Sequence, residues 1–136
     1  MNYEEDLPIN CPPNGAEDKE RKSVCRFLFY PEGDPRNFYS HHKLGKKTGN
    51  APECRAKSLS LFNSGRVQVV VAAKKTAFFK KRKICLMNIP RGAGKSIEDA
   101  KGHIDLWMFA DYDPSQSVVS VVDTVEELDQ GLAHAK

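Results

Sequence analysis

The sequence contains no apolar run of the roughly 18 residues a membrane-crossing helix needs, so no such helix is expected. The opening stretch MNYEEDLPINCPP has no basic region and no apolar segment, and a secretory signal is not expected. The four cysteines are Cys11, Cys25, Cys54 and Cys85, and none forms a Cys-x-x-Cys pair, which argues against a compact zinc ribbon. Cys25 and Cys85 lie in apolar runs and read as small core residues. These absences predict reduced thiols and a cytoplasmic protein. No internal repeat and no low-complexity tract is present. The most informative absence is of acid: residues 56–83 hold no Asp and no Glu.

What is present fits one globular unit. The chain has 136 residues, of which 40% are apolar and 29% charged. Its net charge of +3 conceals a strong asymmetry. Residues 1–22 sum to −3, residues 23–55 to +3, residues 56–83 to +8, residues 84–102 to +1 and residues 103–136 to −6. An acid–base–acid layout implies an anionic partner for the middle or internal neutralisation by the ends. Residues 1–22, with Pro8, Pro12, Pro13 and Gly15, read as an extended or partly disordered acidic arm. Residues 23–136 read as a single α+β domain.

Local patterns predict the elements. SVCRFLFY (23–30) alternates as a buried strand, although Arg26 in its middle needs a partner or an edge. Asp34 and Pro35 suit the start of a helix running to about Gly45. ECRAKSLSLF (53–62) fits a strand or a helix. RVQVVVAA (66–73), KICLMNI (83–89), HIDLWMFA (103–110) and SVVSVVD (117–123) read as strands. RGAGKSIEDAKG (91–102) reads as a Gly-rich loop with a helical turn or two. Thr124 and Glu127 form a capping box for a C-terminal helix. The expectation is a small, mostly antiparallel sheet of five or six strands with two or three helices, because short connections favour antiparallel neighbours.

Three groups of residues suggest chemistry. In KKTAFFKKRK (74–83), Lys74, Lys75, Lys80, Lys81, Arg82 and Lys83 can contact phosphates, and Phe78 and Phe79 can stack on bases. The same stretch also reads as the solvated connection of two strands. His41, His42 and His103 are candidates for acid–base work on RNA without a metal, because imidazole titrates near neutrality. A metal site drawing on His41 or His42, Cys54 and His103 has no diagnostic spacing. RGAGKS (91–96) looks like the end of a phosphate-binding loop, but the full pattern requires glycine where Ile89 stands. Ser96 with Asp99 can instead cap a short helix that binds an anion.

Arg26 within VCRFLFY, followed by Ser58-Leu59-Ser60, resembles part of the ADP-ribosyltransferase pattern. The resemblance implies a nicotinamide dinucleotide bound near Arg26, Ser58 and Ser60. That family's late Glu-x-Glu or Gln-x-Glu has no counterpart here, Asp111-Tyr112-Asp113 being the nearest acidic pair.

The leading expectation is an anionic partner, RNA or DNA, for the basic middle, with metal-independent nuclease activity as a refinement. The alternatives are the ADP-ribosyltransferase-like enzyme and a non-enzymatic module that binds an acidic protein. No cofactor or membrane partner is expected outside the enzyme alternative.

Overall fold

Lys83–Ile89 (KICLMNI) is buried on both faces, as a run without polar alternation requires of a central strand. In the computed structural model, which describes residues 2–45, 52–64, 70–71, 74–76 and 80–128, this strand is β3 of a six-stranded antiparallel sheet. The others are β1 (Arg21–Leu28), β2 (Leu59–Asn63), β4 (Gly94–Glu98), β5 (His103–Met108) and β6 (Val118–Val122), in the order β4-β5-β2-β1-β3-β6. The sheet dominates, with short helical segments beside it: α1 (Glu53–Ala56), 3₁₀ turns at Pro35–Phe38 and Pro114–Ser117, and helical residues 125–128. Among the described residues, no helix is long and apolar enough to cross a membrane.

The sheet is curled. β1 and β4 lie three places apart in the order, yet Arg21 Nε donates to Ser96 Oγ at 2.6 Å. Glu17 pairs with the outer edge of β4 through Ser96, and the chain enters β1 four residues later. A register shift between Arg21 and Val24, with Ser23 at φ 57°, marks a bulge that increases the local twist. Gly94 sits directly against the backbone of β5 at Trp107 and Met108. A Cβ there would meet the Trp107 carbonyl oxygen at 2.1 Å, so no side chain fits.

Strand alternation divides the core between two faces. The concave face collects Val24, Leu59, Leu61, Cys85, Met87, Ile104 and Leu106. The convex face collects Cys25, Phe27, Ile84 and Leu86 under Val70 and Leu128. Full burial of each such aliphatic contributes about 1.5–3 kcal/mol before entropy is counted. A second part of the convex face is covered by residues 2–11 and α1. Tyr3 pairs with Phe109, and Cys11 is disulfide-bonded to Cys54 in α1. Trp107 lies buried beneath, its Nε1 donating to the Cys54 carbonyl at 2.8 Å.

Four local expectations are corrected. The helix expected from Asp34 to Gly45 starts as read, with Asp34 accepting from the Arg36 N–H, but gives way to turns after Phe38. Tyr39 turns to extended backbone (φ −89°, ψ 141°), and the Asn37 carbonyl accepts from Arg26 Nε at 2.6 Å instead of from a following turn. The expected strand 66–73 is helical at Val70 and Val71, and its remaining residues lie outside the described set. β3 already pairs with β1 and β6, so it offers no edge to the segment before it. The loop expected at 91–102 contains β4, which forms a hairpin with β5. Asp99 caps that hairpin rather than a helix, accepting from the Lys101 and His103 N–H groups, each at 2.9 Å. Finally, the expectation of reduced thiols gives way for Cys11 and Cys54, which the fold of residues 2–11 over α1 brings together; Cys25 and Cys85 stay free and buried. The ambiguous segment 53–62 is both things in turn, a helical turn and then a strand.

Candidate functional site

The expected basic hand is partly absorbed by the fold. Lys74 donates to the Arg82 carbonyl oxygen, and burial lowers its pKa from the usual lysine range. The Arg82 guanidinium stacks on the Phe29 ring at 4.7 Å, and Lys83 lies 3.9 Å from Glu32 and 4.0 Å from Asp123. Lys75, Lys80 and Lys81 are exposed and have no carboxylate partner among the described residues. Phe78 and Phe79 lie outside the described residues.

The histidines fall at two ends of one strand pair. His42 donates its N–H to the Ala56 carbonyl, just before β2, and its Nδ1 lies 3.4 Å from Glu5. His41, beside it, is exposed in the same turn. His103 pairs with Phe62 at the far end of β2, its Nδ1 3.6 Å from Asp105 and its ring edge-on to Phe62. Leu59 to Phe62 alone spans about 10 Å at the usual strand rise. Cys54, weighed as a metal ligand, is consumed by the disulfide.

The residues of the enzyme resemblance meet only in part. Arg26 Nη1 donates to the backbone carbonyl of Ser60 at 2.7 Å. Ser58 is buried and donates to the Arg55 carbonyl and to Asp105. Asp113 caps the 3₁₀ turn at Pro114 by accepting from the Ser115 N–H.

One feature was not foreseen from sequence. A cleft of about 570 Å³ opens at one end of the concave face. Its wall is apolar, from Leu28, Phe38, Cys85, Met108, Val118 and Val121, most of which belong to or pack on the concave core. Its lining includes the acids Glu4, Glu32 and Asp113, and each is engaged: Glu4 with Lys43, Glu32 with Lys83, Asp113 with Ser115 Oγ at 2.7 Å. Burial pushes the Cys85 thiol up to about 11, the neighbouring Arg26 opposing it, so Cys85 is a wall atom and not a nucleophile at neutral pH. Burial likewise pulls the Arg26 guanidinium down to about 10, which leaves it charged at neutral pH. The nearest legible signal was the arginine in an apolar strand, whose neighbours Leu28 and Cys85 line the cleft although Arg26 itself does not. The residues that build the cleft come from five separate segments, so no local pattern marks them.

No protein-family model, curated protein or solved structure matches this chain. The geometry of the site therefore carries the functional argument.

Proposed function

We propose that the chain is a binding protein for a small apolar or amphiphilic molecule held in the cleft. The observation that carries this is an open cleft of about 570 Å³ whose wall is continuous with the concave core. That size lies within the range of small-ligand sites, about 300–1,000 Å³, and such sites are largely apolar with a few polar groups for orientation. The disulfide favours an oxidising compartment for this role over the cytoplasm expected from sequence.

A neutral dye such as Nile red should bind saturably to the native protein, with enhanced fluorescence. Val118→Trp, which fills the cleft from β6, should weaken that binding about tenfold or more while the circular-dichroism melt stays close to wild type. Absence of saturable binding, or binding indifferent to the tryptophan, would remove the cleft as a site.

A second reading, RNA or DNA binding, is favoured by one observation: Lys75, Lys80 and Lys81 are exposed without carboxylate partners among the described residues. The separation of His42 from His103 along β2 supports binding rather than cleavage. Affinity for single strands should fall with salt, and replacing the three lysines by alanine should flatten the log–log slope by about 2, from ~0.7 per phosphate contact. A slope that the triple variant leaves unchanged would remove these lysines from any such interface.

A further inference from the structure

The two edge strands of the sheet, β4 and β6, are treated differently. β4 is met by the N-terminal arm: the N–H and carbonyl of Glu17 exchange hydrogen bonds with those of Ser96, each at 2.9 Å. β6 has no such cover among the described residues. Its backbone bonds to β3 and, at the strand's entry, from the Val118 N–H to the Ser115 carbonyl, and to nothing else. Backbone groups of an antiparallel strand point alternately to its two sides, so the outward N–H and C=O groups of β6 form a row open to a further strand. Every residue of β6 keeps some exposure. Val119, at 49%, is one of two large apolar side chains exposed among the described residues, Ile9 being the other.

Edges that stay single in natural proteins commonly carry lysine, proline or an inward charge. VVSVV carries none of these. Its bulge lies at Val119, where the register shifts between Leu86 and Met87. Ser120, Val121 and Val122 then run regularly opposite Leu86, Cys85 and Ile84. Directly opposed residues share a face, so Ser120 and Val122 lie on the convex side and Val121 on the concave side.

We propose that β6 pairs with β6 of a second copy of this chain, antiparallel about a two-fold axis at Val121, so that two sheets join edge to edge. In that register Val121 opposes Val121 and Ser120 opposes Val122, each on its own face. The flanking charge, Asp123, opposes Val119 of the second copy rather than another acid. The strand is its own complement, as an isologous interface requires. Shared main-chain hydrogen bonds and β-branched cross-strand pairs supply the affinity. The arm obstructs the opposite edge at Ser96, so association stops at two chains instead of continuing into a fibre.

Sedimentation equilibrium on the native, disulfide-intact chain should show one chain in dilute solution and two at about a hundredfold higher concentration. Val119→Glu sets a like charge against Asp123 of the second copy and should weaken association about tenfold or more. Val119→Thr keeps an uncharged β-branched side chain and should associate close to wild type. Val119 is exposed, so both variants should melt as wild type does in dilute solution. Hydrogen exchange of the Val118–Val122 amides should slow as the wild-type concentration rises, a readout that needs no variant. A chain that stays single at every concentration would overturn self-pairing and leave the edge to a strand of another protein. A dimer that tolerates Val119→Glu and leaves β6 exchange unchanged would place the contact elsewhere and overturn it as well.

Discussion

Replacing Trp107 by alanine should destabilise the protein by about 3–5 kcal/mol, the usual cost of emptying a buried aromatic site. The side chain is 2% exposed and lies on the convex face of β5, beneath α1 and residues 2–11. Its Nε1 is the donor for the Cys54 carbonyl, at 2.8 Å, so the indole joins the sheet to α1. Alanine removes both the filling and the donor. Trp107→Phe separates the two effects: most of the volume stays, the carbonyl loses its partner, and the loss should be about 1–3 kcal/mol. Urea unfolding followed by far-ultraviolet circular dichroism measures both, since Trp107 is the sole tryptophan and its fluorescence disappears with it. A loss below about 1 kcal/mol for the alanine variant would mean that the covering layer does not pack on the indole.

Reducing the Cys11–Cys54 disulfide should cost about 4 kcal/mol by the chain-entropy relation for a sequence separation of 43 residues. The bridge ties the N-terminal segment to α1, with residues 2–11 lying across Trp107 between them. Its loss should therefore loosen residues 2–20 first, and limited proteolysis should cut there before the sheet opens. The doubly substituted Cys11→Ser/Cys54→Ser chain should match the reduced protein and ignore reductant. Thiol labelling after denaturation without reductant should find two free cysteines, Cys25 and Cys85. Labelling of all four would show that the bridge is absent and would return the protein to the reducing compartment expected from its sequence.

The residues that read most clearly did so because one local cause dominated. KICLMNI is apolar at both parities, and only a strand buried on two sides accommodates that; its bounds, Lys83–Ile89, are as read. HIDLWMFA and SVVSVVD likewise contain strands, β5 and β6, and SVCRFLFY holds most of β1, which starts two residues earlier at Arg21. Thr124 accepts from the Glu127 N–H at 3.1 Å, as a capping box does from sequence alone. RGAGKSIEDAKG was opaque for the opposite reason. Its small residues suit a loop by propensity, but a close approach of β4 to β5 demands them, and Gly94 against the Trp107 carbonyl is the point of demand. The valines of 66–73 suggested a strand, whereas Val70 serves the convex core from a helical turn because β3 has no free edge. Local propensity lost in both places to pairing that only the assembled sheet defines.

The sequence by itself determined an antiparallel sheet with its central strand, a capped C-terminal helical turn, and a basic middle flanked by acidic ends. It also singled out Arg26 as a charge in need of explanation. Only the tertiary structure decided which cations remain open, because Lys74 folds back on the Arg82 carbonyl while Arg82 and Lys83 find partners far along the chain. It alone decided which cysteines meet and where the cleft lies. Pattern records which face a residue takes; a cleft and an unpaired buried charge depend on which distant segments fail to fill or neutralise that face, and those distances exist only after the sheet has curled.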